Sequence, residues 1–173
     1  AKVLGIHLEG PFISPLHAGA QDPKNIIKFN KEIFDQYLKI SNNHIKEVTL
    51  AYEENGKEMV QYLLDHNIVA SIGHTDCKSS LLEEGINAGI SCSTHTYNAM
   101  RGIHHREIGT VGQVMLNDKV NCELICDLNH VSLDAIKLLF KNKGKDKIIL
   151  ITDSMRAKYL EEGNYTLGGL PVI

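Results

Sequence analysis

The sequence predicts an α/β protein that forms an incomplete (β/α) barrel of the TIM type. Six short runs rich in Val, Ile and Leu alternate with segments in which apolar residues recur at helical spacing. Such alternation also fits an open doubly wound sheet, which gathers its ligands at one switch point. Polar residues at the C-terminal ends of several predicted strands favour the barrel, because barrel enzymes place their chemistry there.

The predicted strands are nearly continuous in apolar character, which is typical of strands buried on both faces of a parallel sheet. They cover residues 3–8, 48–52, 68–72, 90–94, 122–126 and 148–151. A closed eight-stranded barrel needs two more strands, so we expect the barrel to be incomplete.

Four helices are predicted from apolar stripes between these strands. The last helix should begin after Ser132, a good N-terminal cap, and end at Gly144 behind basic residues. The stripes contain Phe29, Ile33 and Tyr37; Met59, Val60, Leu63 and Leu64; Leu81, Leu82 and Ile86; and Ile136, Leu139 and Phe140.

Composition limits the possible partners. The chain has 173 residues, is 43% hydrophobic and carries a formal net charge of -3, which fits one soluble domain or part of a larger one. Because Lys and Arg are scattered, no nucleic-acid partner is expected. Apolar runs far shorter than the roughly 20 residues of a spanning helix, and the lack of a leader, argue against a membrane. We therefore expect a cytoplasmic protein with reduced cysteines.

A candidate metal site is formed by Glu9, His74 and His95, each at or just after the end of a predicted strand. Any one of them is more often a capping carboxylate, a loop residue or a hydrogen-bonded core histidine. Together they match a common set of ligands for a divalent ion, because three protein ligands leave one coordination position open for water. The ligand types favour zinc, with ferrous iron as the alternative.

Two further groups surround this site. Asp153 follows the last predicted strand and can transfer protons there, although it could instead cap a following helix. Asn98, the backbone N–H of Ala99 and Arg106 come soon after His95 and suit a phosphate group, although a solvated loop would have similar residues.

The chain resembles the N-acetylglucosamine-6-phosphate deacetylase family of the metal-dependent amidohydrolase superfamily. The matching stretches follow the family's order from one end of the chain to the other. They are GIHLEGPFISP, GAQDP, SIGHT, STHTYNAM, HHRE with the following GTVG, DLNHV, LITDSM and YTLGGLPV.

The resemblance implies hydrolysis of the acetamido group of an N-acetylated amino-sugar phosphate, N-acetylglucosamine 6-phosphate, in amino-sugar catabolism. It makes Glu9, His74 and His95 the ligands of one or two divalent ions and Asp153 the general base and acid. The residues that it implies for substrate binding are Ala20, Asn98, Ala99, Arg106 and His130.

Three positions depart from the family pattern. Gln21 replaces a common histidine that helps at the acetyl carbonyl, and a neutral amide donates a weaker hydrogen bond than a charged ring does. Leu128 replaces a glycine and Ile108 a proline, which could shift His130 and Arg106 slightly. His104 and His105 match the family in type, and we assign them to loop positioning.

Residues 1–173 correspond to part of the family's catalytic barrel, about strands three to eight. We expect the first two strands and the β-sandwich domain to lie outside this chain, and the chain alone to be unstable as a closed monomer. The resemblance implies a homodimer or homotetramer for the full-length protein. Two alternatives are another amidohydrolase acting on a related amide, which would not need the phosphate-binding set, and an inactive fragment that binds metal or sugar phosphate.

Overall fold

Within residues 2–172, which this computed structural model describes, six parallel strands lie side by side in the order of the sequence. Their order and direction confirm the predicted alternation of strands and helices. The strands are β1 (Ile6–Glu9), β2 (Ile45–Leu50), β3 (Val69–Ile72), β4 (Cys92–Ser93), β5 (Asn121–Ile125) and β6 (Ile148–Ile151).

One α-helix connects each pair of neighbouring strands, giving five α-helices in the described part of the chain. The Asn30 side chain caps the first helix and the Ser132 hydroxyl caps the last, as predicted for Ser132. The helices are α1 (Lys31–Ile40), α2 (Gly56–Asp65), α3 (Ser79–Ala88), α4 (Gly109–Leu116) and α5 (Leu133–Lys143), with short 3-10 helices at Pro15–His17, Pro23–Asn25 and Lys145–Lys147. No helix among residues 2–172 is long and apolar enough to cross a membrane.

Two elements were not predicted from the sequence. Helix α4 buries Val111, Val114 and Met115 at helical spacing, but Gly109 and Gly112 lower its intrinsic helix propensity. An antiparallel hairpin, β7 (Tyr165–Leu167) and β8 (Leu170–Val172), follows β6.

The apolar core lies between one face of the sheet and the helices. The central strands are buried on both faces, as predicted, but the second face carries polar side chains such as Thr49, Ser71 and Ser93. There the Thr49 hydroxyl lies 2.8 Å from His7 Nε2 and 2.8 Å from the Thr94 hydroxyl, which is 2.7 Å from Ser71 Oγ. The core contains, among others, Phe12, Phe34, Val48, Leu50, Met59, Leu63, Ile72, Leu82, Leu124 and Leu139.

The sheet is open at both edges. Within residues 2–172, β1 pairs only with β2 and β6 only with β5, so the sheet does not close on itself. Strand β6 leaves Ile149 45% and Leu150 66% exposed. This half-barrel is consistent with a partial TIM-type barrel.

Candidate metal centre and active site

Three strand ends bring Glu9, His74 and His95 together, as the sequence predicted. Glu9 is the last residue of β1, and the two histidines follow β3 and β4. His74 Nε2 lies 2.9 Å from Glu9 Oε1 and 3.0 Å from His95 Nε2, and His95 Nε2 is 3.7 Å from the same carboxylate oxygen. Both histidines are buried.

Hydrogen bonding selects the tautomer of His74. Its Nδ1 lies 2.7 Å from the carbonyl oxygen of His17, which can only accept, so Nδ1 carries the proton. Nε2 is then the ring nitrogen that faces Glu9 and His95 and can bind a cation there, an arrangement typical of a metal-binding histidine. On His95, Nδ1 is buried and has no hydrogen-bond partner among the described residues. Two imidazole nitrogens and one carboxylate oxygen at these distances fit a divalent cation.

The electrostatics of the cluster favour ionised groups. Burial alone would raise the pKa of Glu9, but hydrogen bonds and charge from His74 and His95 hold it well below its usual range. Burial would lower the pKa of His95, and the neighbouring Glu9 raises it instead, with a smaller contribution from Asp153. The Glu9 carboxylate is therefore held in its ionised form beside the two imidazole rings, and a bound cation would take the place of protons between these groups.

The backbone is left-handed at four of the predicted site residues, namely Ala99, with a φ of 49°, and three residues that follow strands. The φ angles are 47° at His74, 31° at His95 and 49° at Asp153, each just past the end of a strand. Non-glycine residues rarely adopt this conformation, and strained backbone positions cluster at active sites. The alternative role of Asp153 as a helix cap finds no support, because no helix follows it in the described chain up to residue 172.

A cavity of about 580 Å³ opens above the three metal-binding candidates. Its lining contains nine of the ten predicted site residues, and Arg106 is the one left out. The nine are Glu9, Ala20, Gln21, His74, His95, Asn98, Ala99, His130 and Asp153. A larger groove of about 760 Å³ beside α2 contains none of the predicted residues.

Comparison with known proteins points to one family. No protein-family model matches the chain. The N-acetylglucosamine-6-phosphate deacetylases of Bacillus subtilis and Lysinibacillus sphaericus are 49% and 45% identical to it, over 99% and 98% of its length. The chain is related to the N-acetylglucosamine-6-phosphate deacetylases. It spans 44% of the length of each of these two relatives.

The fold agrees with this relationship. A mutant N-acetyl-D-glucosamine-6-phosphate deacetylase from Mycobacterium smegmatis, solved in complex with N-acetyl-D-glucosamine 6-phosphate, superimposes with a TM-score of 0.93 at 32% identity. The match covers 96% of this chain and 44% of that one. It confirms the resemblance to the deacetylases that the sequence motifs indicate.

Most of the deacetylase motifs contribute to the cavity. LEGP supplies Glu9, GHT supplies His74, and THTYNAM supplies His95, Asn98 and Ala99. NHV and TDSM add His130 and Asp153, which follow β5 and β6. The motifs therefore mark one site rather than scattered structural positions.

Arg106 does not join the other phosphate-binding candidates in this structure. Its side chain is exposed, and its guanidinium lies 2.9 Å from the ring of its neighbour His105. A turn closed by backbone hydrogen bonds of 3.0 and 3.1 Å between His104 and Glu107 carries it away from the cavity. Its contact with phosphate stays a prediction.

Asp127 lies outside the cavity lining but supports one of its residues. Its carboxylate is 2.7 Å from His130 Nδ1 and accepts the backbone N–H groups of Asn129 and His130 at 2.9 Å. These hydrogen bonds, with the backbone N–H of His130 first, lower the pKa of Asp127 to about 2. Asp127 is therefore a hydrogen-bond partner that orients His130.

Gln21 faces the candidate metal site. Its amide nitrogen donates to the Glu9 carboxylate at 3.4 Å and to the Glu9 carbonyl at 3.5 Å. The close approach depends on Gly10, which has a φ of 80°, because a Cβ there would lie 2.3 Å from Gln21 Oε1. Gln21, which replaces the family's common histidine, therefore lies directly beside the metal-binding candidate Glu9.

Sequence reasoning missed some residues of the site. His17 contributes through its backbone carbonyl, which no side-chain pattern reveals. The segment after β6 also lines the cavity, through Met155, Leu167 and Gly168. The only sequence signal for these three residues was that they belong to the family motifs LITDSM and YTLGGLPV. Asp76 directly follows the GHT motif, so the sequence could have indicated that its carboxylate lies near the site. In the structure it contacts the loop that contains His17.

Proposed function

We propose that this chain is part of the catalytic barrel, strands three to eight, of a metal-dependent enzyme that hydrolyses N-acetylglucosamine 6-phosphate to glucosamine 6-phosphate and acetate. The observation that carries the proposal is the convergence of Glu9, His74 and His95, with N–O and N–N distances of 2.9 to 3.7 Å, beneath a cavity that Asp153 also lines. Relationship to the deacetylases supports the choice of substrate.

The ligand set fits zinc first and ferrous iron second, because two imidazole nitrogens and one carboxylate oxygen suit both ions. Whether one or two ions bind depends on residues outside this chain in the family pattern. A divalent ion bound by Glu9, His74 and His95 would lower the pKa of water and polarise the amide carbonyl of the substrate.

Asp153 supplies the proton transfers in this proposal. Its carboxylate accepts a proton from the water that attacks the amide carbon, and returns that proton to the amine nitrogen as the C–N bond breaks. Without that second transfer the amine is a poor leaving group. The left-handed backbone at Asp153 holds the carboxylate at the cavity after β6.

The substrate would be held by groups on the other side of the cavity. His130, oriented by Asp127, and Asn98 can donate hydrogen bonds to the sugar and its phosphate, and the Ala99 backbone and Ala20 add contacts. Arg106 can join them only if its loop turns toward the cavity. We place the full-length protein in amino-sugar catabolism in the cytoplasm, as a homodimer or homotetramer.

Acetate release tests the proposal directly. The metal-free chain is incubated with N-acetylglucosamine 6-phosphate, with and without added zinc or ferrous iron, and acetate is measured. We expect metal-dependent release that Asp153→Asn abolishes and that the exposed control Asp146→Asn retains. Unphosphorylated N-acetylglucosamine should react far more slowly. Turnover that Asp153→Asn leaves intact would contradict the assigned role.

An alternative is a chain that binds metal or sugar phosphate without turnover. The open edges of the sheet at β1 and β6 favour it, because the cavity lacks walls on that side in this half-barrel. Zinc binding by the wild-type chain, lost on removal of His74 but with no acetate released, would support this alternative.

A further inference from the structure

A chain of polar contacts at the cavity rim ends beside His74. His17 Nε2 lies 3.2 Å from Asp76 Oδ1, and the Arg101 guanidinium binds the other oxygen of the same carboxylate. Arg101 Nε also donates to the Asp76 carbonyl at 2.9 Å. The three side chains are half-buried, with exposed fractions of 26%, 30% and 31%. We call His17, Asp76 and Arg101 the rim clasp.

The clasp reaches the candidate metal ligand through backbone groups. The carbonyl of His17 accepts the Nδ1 proton of His74 at 2.7 Å, and the N–H of Ser14 donates to the carbonyl of His74 at 2.8 Å. The segment 14–17 therefore contacts both the ring and the backbone of His74. Because His74 has a φ of 47°, its backbone depends on such outside contacts.

The same segment leads into the cavity wall. Gly19 packs so closely that a Cβ there would lie 3.0 Å from the His74 ring, and the N–H of Gln21 donates to the Ala18 carbonyl at 3.1 Å. A shift of His17 would therefore move two things together. One is the acceptor that holds His74 in its tautomer, and the other is the position of Ala20 and Gln21 in the cavity.

We propose that His17, Asp76 and Arg101 are positioning residues for the metal site. By anchoring the His17 ring, the clasp keeps the His17 carbonyl against His74 Nδ1, so that Nδ1 holds the ring proton and Nε2 stays aimed at the ion. The inference rests on the proposed function, because it requires a metal ion at His74. Outer partners of a metal-binding histidine are typically worth 10- to 100-fold in metal affinity or activity.

Metal affinity of the whole 173-residue chain tests the proposal without reference to turnover. Cobalt(II) is titrated into the metal-free chain and followed by its visible absorption, and zinc affinity is obtained by competition. We expect His17→Ala and Asp76→Asn each to weaken binding by about tenfold. The double variant should bind metal no more weakly than the weaker-binding single variant, because both substitutions remove the same contact between His17 and Asp76.

A rescue variant separates positioning from general damage. In His17→Arg, a guanidinium can again bind Asp76, so most of the affinity should return. His44→Ala removes an exposed histidine far from the site and should leave the affinity unchanged. Thermal melting of each metal-free variant by circular dichroism shows whether it folds. If His17→Ala does not fold, Asp76→Asn and His17→Arg decide the question.

The outcomes distinguish this proposal from the proposed function. Tight wild-type binding that His74→Ala abolishes, with unchanged affinity in His17→Ala and Asp76→Asn, would overturn the clasp and leave the metal site standing. An equal loss in His17→Arg and in His17→Ala would also overturn it. Wild-type binding no stronger than that of His74→Ala would overturn both proposals.

Discussion

At the scale of single residues, three ring nitrogens of His74 and His95 have unfavourable surroundings. His95 Nδ1 is buried without a partner among the described residues, and the Nε2 atoms of His74 and His95 face each other at 3.0 Å. Two nitrogens at this distance repel unless a proton or a cation lies between them, and Glu9 adds negative charge at the same point. The geometry therefore favours a cation.

Removing the charge of Glu9 should weaken metal binding more than any change outside the three candidates. Glu9→Gln keeps the shape of the side chain but replaces the carboxylate with a neutral amide. We expect zinc affinity, measured by calorimetry, to fall by more than the roughly 100-fold upper value for loss of an outer partner. Glu83→Gln, on the exposed face of α3, is the matched control. Equal affinities for Glu9→Gln and the control would exclude Glu9 as a ligand.

Substitutions of Gln21 test the effect of having glutamine, in place of the family's common histidine, next to Glu9. In the proposed function Gln21 donates to the acetyl carbonyl, and loss of one such donor typically costs about 10²-fold or more in kcat, so we expect a fall of that size in Gln21→Ala. Gln21→His offers a donor that can carry charge, so it should raise kcat above wild type. The rates of acetate release at saturating substrate measure both. If both variants match wild type, Gln21 does not contact the carbonyl.

At the scale of elements, what the sequence could predict depended on how each feature is encoded. The strands and four helices follow from side-chain periodicity, and Ser132 and Gly144 mark the ends of α5 as expected. Helix α4 was missed because its two glycines weaken the helical pattern, although Val111, Val114 and Met115 keep its spacing. The contribution of His17 to the site is a carbonyl, which every residue possesses, so only tertiary structure reveals it.

Helix α4 depends on a lysine from α5 for its C-terminal end. The buried Lys143 ammonium donates to the carbonyls of Val114 and Asn117 at 2.9 and 2.5 Å, groups that an α-helix leaves unpaired at its end. Burial lowers the pKa of Lys143, because the charged ammonium loses its hydration. The hydrogen bonds to the two carbonyls offset part of that penalty.

Replacing Lys143 should therefore destabilise the fold without touching the site. Lys143→Met fills similar space but leaves two carbonyls without donors, and we expect a loss of about 2 kcal/mol. For a domain of this size that corresponds to a fall in Tm of about 4–8 °C. Lys141→Met, two residues earlier and exposed, is the control. A Tm equal to that of the control would show that water or other groups satisfy these carbonyls.

At the scale of the whole molecule, the open sheet sets the main physical problem. Strands β1 and β6 each present one unpaired edge within the described chain, and Ile6, Ile149 and Leu150 are 42%, 45% and 66% exposed beside them. Exposed apolar strand edges readily pair with other chains. Because the chain spans 44% of its relatives, further strands in a longer protein could cover these edges.

The chain on its own should consequently associate in a concentration-dependent way, and a charge on the open edge should reduce that association. We expect Leu150→Lys to shift the sedimentation profile toward monomer, since a lysine on an edge strand opposes pairing. Leu116→Lys places the same charge at another exposed leucine, 69% exposed at the end of α4, and should change the profile little. A wild-type chain that sediments as a monodisperse monomer and unfolds cooperatively would show instead that the half-barrel buries enough apolar surface to stand alone. In that case the open edges of β1 and β6 would not limit its stability.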